Sequence, residues 1–234
     1  MDIRDAVVIV TGASSGIGAA TARLAAANGA RLVLAARRFD RLEALAAQLP
    51  DAIAVPTDMR HPEQIRDLVR AAAERYGRVD VLVNNAGQGL HVPLEQVGLD
   101  DLEAVMELNV YGPLLAMQTV VPLMRAQGGG SIVNISSGTS RMVLPGVGAY
   151  AATKAALNML SQVARAEWAG DGIVVSLVYP SITATEFHER LRAGSVAGPT
   201  RFAPHPPERV AEAVLEAVRT GAPEIVLGHT PAPA

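Results

Sequence analysis

Short apolar runs rich in Val, Ile, Leu and Ala recur along this chain, and each is separated from the next by a stretch long enough to hold a helix. Parallel strands cannot be joined by tight turns and need a crossover of roughly a dozen residues or more. The alternation therefore points to βαβ units around a parallel sheet. The runs Val7–Val10, Leu32–Ala36, Ile53–Pro56, Val81–Val83, Ser131–Ile135, Val174–Val178 and Glu224–Leu227 read as strands. Pro62 to Tyr76 reads as a helix, with Ile65, Leu68, Val69, Ala72 and Tyr76 on one face and Pro62 at its first position. Pro207 opens another, with Val210, Val214, Ala217 and Val218 on one side. The expected fold is α/β: a doubly wound, mainly parallel sheet of seven strands with helices on both faces. One domain over residues 1–234 accommodates it.

Composition narrows the function. Half the residues are apolar and 18% are charged, enough for a sizeable core. A net charge of −3 with no block of basic residues gives no support for nucleic-acid binding. Met1-Asp2-Ile3-Arg4-Asp5 is too charged for a signal peptide, and the uncharged run Leu108–Met124 is too short and polar for a membrane span. It reads instead as a buried or subunit-facing helix. The chain has no cysteine, which is compatible with a reducing cytoplasm, the expected location. His61, His91, His188, His205 and His229 have no ligand spacing, so no metal is expected.

After the first strand comes Thr11-Gly12-Ala13-Ser14-Ser15-Gly16-Ile17-Gly18, leading directly into helical Ala19–Asn28. Glycines let backbone approach a pyrophosphate, and the free N–H groups of a helix start attract its charge. This strand–loop–helix setting makes the fold Rossmann-like. An NAD site carries a carboxylate at the end of the second strand to hold the ribose 2′-hydroxyl. Here the run is Leu34-Ala35-Ala36-Arg37-Arg38. Two guanidiniums suit a 2′-phosphate, so NADP(H) is expected, with Arg37 first and Ser14 and Arg38 in support.

Lys154 is the only lysine, and it follows Tyr150 by four residues. On a helix the two share a face about 6 Å apart. A nearby ammonium favours phenolate, so the Tyr150 pKa is expected to fall, making it an acid/base near neutral pH.

Together these stretches resemble the short-chain dehydrogenase/reductase family in its single-domain form, from Ala6 to about Leu227. The likeness rests on Thr11–Gly18, Asn84-Asn85-Ala86-Gly87, Asn109, Ser137 and Tyr150–Lys154 in the family's order. It implies hydride transfer between NADP(H) and a ketone or aldehyde/alcohol pair. In that scheme Ser137 donates to the substrate oxygen and Tyr150 transfers the proton. Lys154 lowers the Tyr pKa and holds the nicotinamide ribose, and Asn109 holds a water linking Lys154 to solvent. The resemblance also assigns cofactor contacts to Gly12, Ser14, Ser15, Gly16, Ile17 and Gly18. Further contacts are Asp58 at the adenine, Asn85, Ala86 and Gly87 near the adenosine ribose, and Pro180, Thr183 and Thr185 after the sixth strand. It implies a homotetramer, with a dimer left open.

The chain departs from the family at Ser181, where glycine is usual, and at Thr183, where valine is usual. Ser181 is strained if that position needs a positive φ. The expected substrate pocket is apolar: Gln88 at its edge, with Leu90, His91, Thr139, Met142, Val143, Leu144, Val147, Tyr179 and Phe187. Residues 186–207, rich in Gly and Pro, read as a substrate loop, and 229–234 as a flexible tail. A rival reading is a catalytically silent NADP(H)-binding regulator or scaffold, because fold alone does not fix function.

Overall fold

The computed structural model describes residues 1–195 and 202–228, and the backbone of 230–231. In chain order its strands are β1 (Val7–Thr11), β2 (Arg31–Ala36), β3 (Ala52–Pro56), β4 (Val81–Asn84), β5 (Gly130–Ile135), β6 (Ile173–Tyr179), β7 (Phe202–Ala203), β8 (Glu224–Val226) and β9 (Thr230–Pro231). The helices are α1 (Gly16–Ala27), α2 (Phe39–Ala46), α3 (Pro62–Tyr76), α4 (Leu99–Met106), α5 (Gly112–Ala126), α6 (Gly148–Trp168) and α7 (Pro207–Thr220). Seven strands form one sheet in the order β3-β2-β1-β4-β5-β6-β8, and every neighbouring pair is parallel. The chain reverses its winding between β1 and β4, which opens a crevice at the carboxyl ends of these strands.

Strand periodicity places apolar side chains on both faces. On β1, Val8 and Val10 join a core built with α1, α2 and α7, through Ala22, Leu42, Val210 and Val214. Val7 and Ile9 enter a second core with α3 and α5, through Ile65, Leu68, Met117 and Val120. Fully burying a Leu or Ile contributes about 1.5–3 kcal/mol, so the two layers fix the sheet between its helices. The helix α3 starts at Pro62 and stops at Gly77, whose φ of 75° ends the helical run. Pro207 and Gly221 (φ 67°) bound α7 in the same way.

Between α4 and α5 the helix widens into a π turn, Glu107–Tyr111. Pro113 has no N–H to give the Asn109 carbonyl four residues earlier, which breaks the α-helical ladder there. Asn109 is fully buried within this turn.

In the expected substrate loop, Glu186–Glu189 form a 3-10 turn. The chain then folds back on the loop after β4: Arg192 N donates to Gly89 O (2.8 Å) and His91 N donates to Ala193 O (3.0 Å). Residues 196–201 of that loop, and 229 and 232–234 of the expected tail, lie outside the described residues. Thr230–Pro231 pair antiparallel with Phe202–Ala203. Among the described residues no helix is long and apolar enough to cross a membrane.

Candidate active site

A cleft of about 440 Å³ lies over the carboxyl ends of β1, β4, β5 and β6. Its floor is the β1–α1 turn. Ser15 precedes α1 without a side-chain cap, so the first-turn amides of the helix remain open to an anion. The turn is tight enough to require glycine. A Cβ on Gly18 would stand 2.4 Å from the Gly12 carbonyl oxygen and 2.6 Å from Asn85 Nδ2. Gly18 therefore acts through packing, and it does not line the cleft. Asn85 locks the turn from the next strand, donating from Nδ2 to Thr11 O (2.8 Å) and from its N–H to Thr11 Oγ1 (3.0 Å). We expect Gly18→Ala to lower stability by about 1–3 kcal/mol, the usual range for overpacking. Urea denaturation checks this, and a wild-type midpoint would show that the turn can relax.

At the end of β2 the two arginines behave differently. Arg38 donates to Ser14 Oγ (2.9 Å) and Ser15 Oγ (2.7 Å), and pairs with Glu186 at 2.7 Å. Glu186 also takes Arg41 (2.8 Å) and Arg190 (3.1 Å). Hydrogen bonds from Arg41 and Arg38 hold its carboxyl down at about 2. Arg37 is exposed, lines the cleft and has no side-chain hydrogen bond among the described residues. Asp58 lies beside it, gripped by Arg60 through Nη2 at 2.6 Å. Burial alone would raise the Asp58 carboxyl, but Arg60, helped by Arg37, holds it below its ordinary range. The open helix start, the close backbone and the serine hydroxyls fit a dinucleotide.

The catalytic candidates meet on the wall made by β5 and α6. Ser137 follows β5, and its Oγ accepts from Thr139 N (3.2 Å) and Thr139 Oγ1 (2.9 Å). Tyr150 and Lys154, one turn apart on α6, are 6% and 4% exposed and both line the cleft. The Lys154 Nζ donates to the Ile135 carbonyl (2.9 Å) and stands 6.0 Å from the centre of the Tyr150 ring. The expected fall in the Tyr150 pKa is not what the geometry gives. Burial pushes the phenol up to about 12, and a hydrogen bond with Ser137 pulls only partly against it. Lys154 is itself pushed down to about 8 by burial, so it is a weakened cation. Asn109 is off the cleft. Its Nδ2 donates to Gln88 O (2.9 Å) and Thr153 Oγ1 (3.0 Å), and its Oδ1 accepts from Gln88 N (2.9 Å). The side chain pins the β4 exit to α6.

The cleft brings together most of the expected residues: Gly12, Ser14, Ser15, Gly16, Ile17, Asn85, Ala86, Gly87, Gln88, Thr139, Met142, Pro180, Thr183, Thr185 and Phe187. Four pocket assignments fail. Tyr179 is buried at the end of β6, where its hydroxyl donates to Glu224 Oε1 (3.0 Å) and Arg141 covers its ring at 3.9 Å. That side chain is taken up beside the neighbouring strand β8 and does not line the cleft. Val147 ends the loop before α6 and does not reach the cavity, Val143 is fully exposed, and Leu90 is buried in a satellite core. The strain expected at Ser181 is absent too, because among the described non-glycine residues only Asp5 has a positive φ. The sequence reading missed Glu186 and His188, which sit in an irregular stretch with no period to reveal their direction. Among the described residues no cluster of His, Cys, Asp or Glu could hold a metal ion.

Fold and cleft together define the class of dinucleotide-binding α/β oxidoreductases. The chain belongs to the short-chain dehydrogenase family, whose pattern matches residues 6–195. It is 37% identical over 194 residues to an uncharacterized oxidoreductase of Staphylococcus saprophyticus, covering 81% of this chain and 79% of that one. A short-chain dehydrogenase/reductase of Burkholderia phymatum solved with NAD superposes with a TM-score of 0.88 at 28% identity, covering 97% and 90% of the two chains. A metagenomic short-chain oxidoreductase solved with NADP gives 0.82 at 31% identity, with both chains covered fully.

Proposed function

We propose that this protein is an NADP(H)-dependent reductase interconverting a ketone or aldehyde with an alcohol, with Tyr150 as the acid/base. The observation that carries this reading is the hydrogen bond between Ser137 and the buried Tyr150 at the cleft wall, one helical turn from Lys154. A nicotinamide held in the cleft would supply or accept the hydride. Ser137 donates to the carbonyl oxygen as negative charge grows there. Tyr150 gives its proton to that oxygen and takes it back in the oxidative direction. Lys154 stabilises the resulting phenolate and holds the ribose hydroxyls, and the proton returns through the buried turn around Asn109. Following the nicotinamide absorbance with NADPH and NADH across a panel of ketones and aldehydes tests the reading. No turnover with any carbonyl, despite tight NADPH binding, would replace it with a silent binding protein.

The family includes structures with either dinucleotide, so the preference rests on this chain's own residues. Among the described residues, Arg37 is the cation at the end of β2 left available for a 2′-phosphate, because Glu186 engages Arg38. A charge-assisted hydrogen bond contributes about 1.5–3 kcal/mol, and an aspartate in its place adds repulsion. We therefore expect Arg37→Asp to lower the ratio of kcat/KM for NADPH over NADH by about a hundredfold or more. A wild-type ratio favouring NADH, or a ratio unmoved in the variant, would end the assignment. The reading also includes a cytoplasmic homo-oligomer, a tetramer by family. Its support is the exposed apolar set Leu99, Tyr111, Met159 and Val163 on α4, the π turn and α6. Size-exclusion chromatography with light scattering tests it, and a monomer at assay concentration would exclude it.

A further inference from the structure

Two histidines stand at the Tyr150 end of the cleft. His91, from the loop after β4, and His188, from the 3-10 turn after β6, both line the cleft. Their ring centres are 6.0 Å apart, and His91 lies 5.9 Å from the Tyr150 ring. Phe187 closes the group, 5.6 Å from Tyr150 and 5.5 Å from His188. Neither imidazole makes a side-chain hydrogen bond among the described residues. His91 Nε2 and His188 Nδ1 are also sealed from water without a partner. A buried polar atom left unsatisfied costs about 1–3 kcal/mol, so two at one end of a cavity call for an explanation. The other nitrogen of each ring is not sealed, so a ligand in the cleft reaches the pair through His91 Nδ1 and His188 Nε2 and sets the tautomer of both rings.

We infer that His91 and His188 form a subsite for a second oxygen of the substrate, selecting carbonyl compounds with a hydroxyl on the carbon next to the carbonyl or the one beyond. The chemical class follows from what surrounds the rings. Burial keeps both imidazoles below their ordinary pKa, and the open nitrogen of a neutral ring donates or accepts according to tautomer, so the two rings together offer a hydroxyl one donor and one acceptor. A carboxylate would need a free cation; among the described residues lining the cleft, Arg190 is paired with Glu186 at 3.1 Å and Lys154 is tied to the Ile135 carbonyl at 2.9 Å. Phe187 and Met142 supply apolar walls for the carbon skeleton. The contact of His91 with Tyr150 puts the second oxygen close to the reacting one.

This inference rests on the carbonyl-reductase reading, and the experiment separates the two. The ratio of kcat/KM for 2-hydroxycyclohexanone over cyclohexanone is measured with NADPH for wild type, His91→Phe and His188→Phe. We expect the wild type to favour the hydroxyketone and the ratio to fall about tenfold in each variant, the loss of one hydrogen bond. An equal ratio in all three proteins overturns the subsite. The second arm reads ring-nitrogen NMR signals of the wild type, with and without NADP, titrated with cyclohexane-1,2-diol and with cyclohexanol. Shifts of His91 and His188 with the diol, and not with cyclohexanol, support the subsite even if no ketone is turned over, in which case the reductase reading fails alone. No shift with the diol, or the same shift with both alcohols, overturns the subsite whatever the activity.

Discussion

Tyr150→Phe should lose about a hundred- to ten-thousand-fold in kcat while still binding NADPH, the range that removal of a proton-transfer group produces. The ring that remains keeps its packing against His91 and Phe187, so the cleft keeps its shape. What disappears is the hydroxyl that meets Ser137 and the substrate oxygen. The pH dependence carries an independent signature. With the phenol pushed up to about 12, Tyr150 is protonated throughout neutral pH and ready to act as an acid. Carbonyl reduction in the wild type should therefore be level across neutral pH as far as this group is concerned. Alcohol oxidation needs the phenolate and should speed up as pH rises. Stopped-flow hydride transfer, with NADPH affinity measured separately by fluorescence, checks both parts. A variant within about tenfold of wild type would remove Tyr150 from the mechanism.

The same residue shows where sequence reading succeeds and where it stops. Tyr150 and Lys154 could be placed together because helix periodicity fixes relative direction locally. All seven strands of the sheet were legible within about two residues at either end, because strands buried on both faces are near-continuous apolar runs. Pro62 and Pro207 marked two helix starts for an equally local reason. Direction across long separations was not legible. Tyr179 sits next to Pro180 in sequence, but its hydroxyl is taken up by Glu224. Glu186 reaches Arg38 from 148 residues away, and nothing short-range in an irregular segment announces such a contact. The electrostatics were legible only in part. A Tyr–Lys spacing announces an interaction, but the sign of the net pKa change depends on burial, which the spacing does not contain. Here burial outweighs the hydrogen bond with Ser137 for Tyr150, and it weakens the Lys154 cation as well.

Lys154→Met should be nearly inactive and, at neutral pH, more stable than the wild type. The ammonium is 4% exposed, and burial lowers its pKa from 10.5 to about 8. Between these values the unfolded chain holds a proton that the folded chain has lost, so wild-type stability rises with pH through this window. Below about 8 both states are protonated, and the full cost of burying the charge is present. The difference between 10.5 and about 8 corresponds to about 3 kcal/mol. Methionine has similar reach and no charge to desolvate, but it leaves the Ile135 carbonyl without its donor, a loss of about 1 kcal/mol. The net expectation is a gain of about 2 kcal/mol at neutral pH that shrinks toward zero, or reverses slightly, as pH passes 10.5. Urea denaturation of both proteins across this range measures the gap. A methionine variant that is less stable at neutral pH, or a gap that does not change with pH, would mean that the lysine is not held against its own solvation. If the gap closes as expected, a buried lysine that costs stability is explained by its chemistry, because a compact ammonium can support a phenolate and donate to ribose hydroxyls at once.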